Sequence, residues 1–392
     1  MKHSLQSIWQ RWFGEHKANS SSAHPAVTAT PVASATVAGP AEHATTLVDN
    51  ANASEEASAA TKPAATQASA SPALQLSAWQ PVFPIDKMFF DWSMGFSGNL
   101  QAAGQEQQIL QALYQLLASD LNEAVVVPRV PSVIPQLLAT LRDRTSSSAE
   151  LVRQIVKDVV LVGEVINTVN SAMYNPADRI NSLEKAVYIL GEEGLRLVIA
   201  KVTMRPIINL GAGHYTRRAT PHLWAQAEKC ALACHVLART RADGMDGNYI
   251  DPFQAFLTGL IKNVGMVVAL RVMDNYAEQT RVKYSVSFQA VMNSLTTTLT
   301  YRIAQRWNFP EAMCLALQQQ AFGRKQPEWS ELGHLLHTAD LISKTRILVN
   351  HGQLNPNEKA LTFGLDPLAS ACFHDLNHIP LFDPAAPATI KT

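Results

Sequence analysis

Several short stretches of the sequence bring together residue types that bind metals, move protons or attack carbonyl and phosphoryl centres. In "ELGHLLHTADL", His334, His337 and Asp340 follow one another at i, i+3 and i+6, so two imidazoles and a carboxylate share a helix face where a divalent ion could sit. A solvated or internally satisfied helix face accounts for the same spacing. "CFHDLNH" holds a literal His374-Asp375 pair with His378 beyond it, but close to a Pro-rich end and without further ligand-bearing helices upstream. Cys230, Cys234 and His235 have helical spacing among Ala and Leu, the pattern of small buried thiols. "GAGHY" (211–215) lacks the strand-to-helix context of a phosphate loop and reads as a linker between helical halves. Arg205, Arg217 and Arg218 gather around it, as a solvated cluster or a contact for phosphate or an acidic partner. Least ordinary is "FLTGLIKNVGMVVAL" (256–270). It reads as buried helix, yet carries Lys262 and Asn263 side by side.

The composition limits what these residues can serve. In 392 residues, 47% are hydrophobic and Lys+Arg equals Asp+Glu at 32 each, so a sizeable core is expected and no net field draws nucleic acid or anionic lipid. No nucleic-acid partner is expected. The four cysteines lie within periodic apolar segments, as in a reducing cytosol, and no disulfide framework is expected. No run of about 18 apolar residues exists in this reading, so nothing is expected to span a bilayer and the expectation is a cytoplasmic protein, at most peripheral at a membrane.

Five segments position the candidates. Residues 1–17 place Leu5, Ile8, Trp9, Trp12 and Phe13 on one face of an amphipathic helix, which suits docking to a partner groove or a membrane interface, or packing on its own domain. Residues 18–78 are nearly all Ala, Ser, Thr, Pro and Val; they cannot bury enough apolar area to offset ordering, and read as a disordered tether with a reach of roughly 40–45 Å. A helical extension follows over 79–125, opening on the aromatic cluster "WQPVFPIDKMFFDW". From Pro128 on, amphipathic stretches succeed one another with short turns: Ser132 and Ser148 are candidate caps, Val162 to Val169 a third helix, and "INSLEKAVYILG" a fourth, capped by Asn181 or Ser182 and ended by Gly191. The fold class is all-α. The main domain is placed at 126–345, with a C-terminal extension at 346–392.

"VPRVPSVIPQLLATLRD", "SSAELVRQIVKDVVLVGEVINTVNSAMY" and "RINSLEKAVYILGEEGLRLVI" together resemble the HDOD domain, a relative of the metal-dependent HD phosphohydrolases found in bacterial signalling proteins. The markers are Pro128, Pro131, Asp158, the Asn170-Ser171-Ala172 triplet, Ser182 and Gly191. The resemblance continues more faintly to Asp340.

Active HD enzymes hold their metal with a His on one helix, a His-Asp dyad on the next and a distal Asp, because neutral imidazole and carboxylate suit a divalent ion that acidifies water. The resemblance places Gln226 at the first of these positions, Lys262-Asn263 at the dyad and Asp340 at the distal one. It puts Thr296 and Gln318–Gln320 where further histidines stand in some members. Two neutral amides ligate weakly, and a lysine ammonium about 4 Å from a divalent ion is opposed by up to roughly 8 kcal/mol at an effective dielectric of 20. Lys262 is tolerable in a polar, hydrogen-bonded pocket or snorkelling to its rim. The resemblance therefore implies a non-catalytic signal-transduction protein that binds other proteins and needs no cofactor. Two alternatives are a nucleotide or second-messenger sensor using the vacated pocket without hydrolysis and a residual metal-dependent phosphohydrolase.

Overall fold

In the computed structural model the described residues are 79–95, 104–121, 126–131, 133–135, 152–153, 156, 158–171, 179–208, 213–242, 250–276, 284–322 and 329–378. The aromatic face of residues 1–17, the tether at 18–78, the candidate caps Ser132 and Ser148, and part of "GAGHY" lie outside them. The chain divides after Gln75 into two units, and every described residue belongs to the second. Among the described residues the regular structure is helical throughout.

The local signals of the sequence account for the ends of several helices. Ile85–Met94 (α1) buries Ile85, Phe89, Phe90 and Met94 and stops at Gly95. Gly104–Ala118 (α2) buries Ile109 and Leu113 and sends Glu106 across to Ser285, whose hydroxyl it receives at 2.7 Å. Val159–Val169 (α3) begins where Asp158 Oδ1 accepts the Leu161 N–H at 3.2 Å. Beyond its end Asn170 bridges to the next helix: its amide donates to Ile180 O (2.6 Å) and accepts from Ile180 N–H (2.8 Å). Leu183–Ile208 (α4) starts at Ser182, whose hydroxyl accepts the Lys185 N–H, and is broken in two at Gly191. There φ is +64°, a conformation that glycine adopts without a Cβ clash.

The second half is wound around His214–Ala242 (α5). It packs against α1 and α4 and against four helices still to come: Pro252–Ile261 (α6), Val264–Asp274 (α7), Glu331–Asn350 (α10) and Pro367–Asp375 (α11). Val286–Arg306 (α8) and Glu311–Phe322 (α9) complete the set, α8 packing on α2, α7 and α9. The described parts of 79–125, 126–345 and 346–392 contribute to a single hydrophobic core, in which Phe256 and Phe288 are among the largest fully buried side chains.

Two expectations need correction. Residues 256–270 are not one helix: α6 ends at Ile261, Lys262 and Asn263 form a turn, and α7 begins at Val264. The cause lies on α8, where Thr300 Oγ1 donates to the Lys262 carbonyl (3.0 Å) and accepts the Gly265 N–H (3.0 Å), so backbone groups that a continuous helix would pair are held from outside. The close approaches that permit this fall on glycines. A Cβ on Gly265 would lie 2.0 Å from Thr296 O, and one on Gly259 would lie 2.8 Å from the Ala231 backbone. The second correction is that an apolar run of spanning length does exist: within Pro252–Asp274 an 18-residue window has mean hydropathy 1.5, and 83% of it is buried in the protein's own interior. It is the hydrophobic centre of the fold, shared by α6 and α7.

Candidate functional site

The four positions that the resemblance sets where an HD enzyme carries its ligands meet in space. Gln226 comes from the middle of α5 and is fully buried; Lys262 and Asn263 come from the turn between α6 and α7; Asp340 comes from α10. Asn263 Nδ2 donates to Gln226 Oε1 and to Leu223 O (3.2 Å). Gln226 Nε2 in turn donates to Asp340 Oδ1 (2.8 Å) and to Ser343 Oγ (2.9 Å). The two amides thus form a directed chain that ends on a carboxylate.

The other oxygen of that carboxylate carries two ammonium groups. Lys262 Nζ touches Asp340 Oδ2, and Lys344 Nζ, one turn further along α10, reaches the same atom at 2.8 Å. Lys344 also holds Asp86 Oδ1 of α1 at 2.6 Å. Two cations and two anions cancel, as a largely buried cluster requires. Lys262, Lys344 and Asp340 have side chains only 12%, 10% and 7% exposed, whereas Asp86, at the rim, is 51% exposed.

The electrostatics divide the two lysines. Burial pulls the Lys344 ammonium down, but Asp340 and Asp86 outweigh it and leave its pKa above the ordinary lysine value. Lys262 is also pulled down by burial; with Asp340 as its chief counter-charge and Lys344 as a neighbouring cation, its pKa stays below the ordinary value. The Lys344 ammonium beside Asp86 lowers that carboxyl to about 2.

Sequence reasoning did not include Lys344, Asp86 or Ser343. One signal was available for Lys344, the i, i+4 spacing from Asp340 on one helix. Asp86 carried none, since it is 258 positions from its partner.

Beneath α1 lies a cavity of about 50 Å³, with Lys262, Asn263 and Lys344 among its polar lining, Thr296 and Thr300 from α8, and Phe90 from α1. Ligand pockets for drug-sized molecules usually run from roughly 300 Å³ upward. A nucleotide does not fit this cavity unless α1 moves.

The remaining candidates fall elsewhere. Thr296 lines the cavity, but Gln319 accepts from Ser330 Oγ (2.8 Å) and Gln320 donates to Gly333 O (3.0 Å), which fixes both at the N-terminal end of α10, while Asp340 lies in its middle. His337 faces Trp79 O at 3.3 Å, and the Trp329 ring lies 5.4 Å from His334 and 5.3 Å from His337, centre to centre. His374, Asp375 and His378 are exposed around the end of α11, and Cys230, Cys234 and Cys372 are buried thiols. Burial raises the Cys234 thiol well above its ordinary range. Arg205 faces Glu164 at 4.0 Å. The start of α5, within "GAGHY", is capped by Asp274, which accepts the Tyr215 N–H at 2.7 Å. The signature residues are structural: besides Asp158, Asn170, Ser182 and Gly191, Pro128 O accepts the Trp307 indole N–H (3.1 Å), Pro131 O accepts the Ile134 N–H (3.0 Å), and Ser171 N–H donates to Thr168 O (3.1 Å).

A divalent ion does not suit this donor set. Two of the four positions offer neutral amides already engaged with each other, one offers an ammonium, and the sole carboxylate has both oxygens hydrogen-bonded. Among the described residues no group of three or more His, Cys, Asp or Glu is placed to hold a metal.

Residues 127–321 match the HDOD domain. The chain is 24% identical over 209 residues, half of its length, to an uncharacterized protein of Treponema pallidum, of which it spans 38%. By fold it is similar to a crystal structure from Shewanella amazonensis provisionally named a metal-dependent phosphohydrolase (TM-score 0.50, 15% identity, covering 70% of this chain and 98% of that one). An HDOD domain protein of unknown function from Geobacter sulfurreducens overlaps it with a TM-score of 0.48 at 18% identity, over 70% of this chain and 99% of the other.

Proposed function

We propose, from the premise that this chain is an HDOD-domain protein, that it is a non-catalytic regulatory protein of signal transduction acting through protein–protein contacts. One observation carries the reading: the four positions that the resemblance sets against the HD ligands are joined by a hydrogen-bonded chain from Asn263 through Gln226 to Asp340, with the Lys262 ammonium as Asp340's counter-charge. The carboxylate that would attract a cation has its cation supplied by the chain itself. The α1 segment, which precedes the matched residues, adds Asp86 to the cluster and covers the cavity. Outward-facing apolar side chains on the N-terminal half of the domain, Val159 at 83% and Tyr188 at 90% exposure, suit a partner surface. The aromatic face of residues 1–17 is a second docking element, toward a protein groove or a membrane interface, with residues 18–78 as its tether.

Two experiments test this. The purified chain, titrated with Mn²⁺, Fe²⁺, Zn²⁺ and Mg²⁺, is expected to show neither a melting shift nor hydrolysis of bis-p-nitrophenyl phosphate; a stoichiometric metal with activity abolished by Asp340→Ala would refute the non-catalytic reading. Affinity capture with the full chain and with a chain beginning at Trp79 is expected to retain one stoichiometric partner. Retention of none by either would remove the interaction reading.

A further inference from the structure

We propose that Lys262 is a nucleophilic amine that captures small aldehydes as a protonated imine in the cavity beneath α1. The two lysines of the cluster are not equivalent. Lys344 is held between two carboxylates, Asp86 at 2.6 Å and Asp340 at 2.8 Å, and so stays a fixed cation. Lys262, among the described residues, touches one carboxylate, which it shares with Lys344, and its side chain faces the cavity. A largely buried amine beside a permanent cation is the arrangement that makes a lysine a nucleophile, because both influences favour the neutral form. Burial is the larger of these and leaves the Lys262 ammonium more acidic than an ordinary lysine, while Lys344 is shifted the other way.

The step balances within the residues present. Asp340 Oδ2 takes a proton from the Lys262 ammonium, and the free amine adds to the aldehyde carbon, forming a C–N bond as the C=O π bond opens onto oxygen. The proton held by Asp340 goes to that oxygen, and a carbinolamine results. Proton transfer from nitrogen to the hydroxyl, by way of Asp340, lets the C–O bond break and water leave. The iminium that remains carries the same single positive charge as the ammonium it replaced, so Asp340 keeps its counter-charge and the cluster stays neutral. No oxidant or reductant takes part, and hydrolysis reverses the reaction. The adduct is stoichiometric, so it is independent of the regulatory reading above.

The cavity sets the size of the guest. At about 50 Å³ it has space for some three to five water-sized probes, each needing roughly 10–15 Å³, and so for an aldehyde of about that many heavy atoms. Thr296 and Thr297, also in the lining, both donate their hydroxyls to Asn293 O (3.1 and 2.8 Å), which leaves oxygen lone pairs to accept the carbinolamine O–H.

The full chain is incubated with acetaldehyde and sodium cyanoborohydride, which reduces an imine to an N-ethyl amine, and each lysine is followed by peptide mass mapping. Lys262 is expected to label about tenfold or more faster than Lys344 and than the exposed, ion-paired Lys87, and to reach its plateau rate at lower pH. Benzaldehyde, too large for the cavity, is expected to spare Lys262 and label Lys87. Lys344→Met, which removes the neighbouring cation, is expected to slow Lys262 several-fold and leave Lys87 unchanged; if that variant fails to fold, the ordering of rates in the natural chain decides. Labelling of Lys262 no faster than Lys87, or equal labelling of Lys262 by both aldehydes, would overturn the proposal.

Discussion

Asp340→Ala tests the charge cluster most directly. Asp340 is the shared counter-ion of two ammonium groups that are only 12% and 10% exposed, and it also accepts the Gln226 amide at 2.8 Å. Its removal leaves Lys344 with Asp86, which is half in solvent, and leaves Lys262 with no carboxylate. Stranding one charge of a buried pair costs about 3–5 kcal/mol. At about 2–4 °C per kcal/mol that is a fall in melting midpoint of roughly 6–20 °C. Lys262→Met behaves differently, because it deletes the stranded charge and keeps most of the side-chain volume. Asp340 retains Lys344, so the cost is expected to stay under about 1.5 kcal/mol. Asp86→Ala, at the exposed rim, is expected to cost no more than about 1 kcal/mol. Adding Lys262→Met to Asp340→Ala should recover about 1–3 kcal/mol of what the single change lost, a coupling that identifies the two as one interaction. The assay is urea unfolding followed by circular dichroism for the natural chain and the four variants. A cost below 1 kcal/mol for Asp340→Ala, or equal costs for Asp340→Ala and Lys262→Met, would refute the reasoning.

Three further outcomes are expected. His235, 3% exposed, has its pKa lowered to about 4 by burial, against a hydrogen bond to Pro252 O that raises it. The fold favours its neutral form, so its contribution is complete above the unfolded value near 6.5 and is lost as pH falls toward 4, by about 3 kcal/mol; unfolding at pH 7 and pH 4.5 should show this, and His235→Phe should flatten that share of the slope. Asn170→Ala removes both hydrogen bonds to Ile180 and should cost about 1–3 kcal/mol, with faster amide exchange at the start of α4 as a local readout. Gly265→Ala drives a methyl to 2.0 Å from Thr296 O and should destabilise by about 2 kcal/mol or more and separate α7 from α8; a melting midpoint unchanged from the natural chain would contradict the packing described.

The weakness of these side chains as metal ligands was legible in the sequence. Gln226, Lys262 and Asn263 are poor metal ligands wherever they sit, since donor strength and charge belong to the side chain itself. The same holds for the ends of helices: Asp158 and Ser182 cap the turn that follows them, and Gly191 takes a positive φ, through interactions that span three or four residues. What the sequence left open is what the misplaced lysine does. Whether Lys262 snorkels outward or turns inward depends on Asp340 arriving from another helix, and the counter-charge for Lys344 arrives from α1, 258 positions away. The apolar run over 256–270 gives no warning of the break at Lys262-Asn263, because periodicity records which residues are buried, while the backbone hydrogen bonds there were taken over by Thr300, 38 and 35 positions distant. Chemistry carried by one side chain, or by one turn of helix, is written locally. Charge balance and helix breaks in the interior are set by whichever groups packing brings within about 3 Å, and only the tertiary structure decides that.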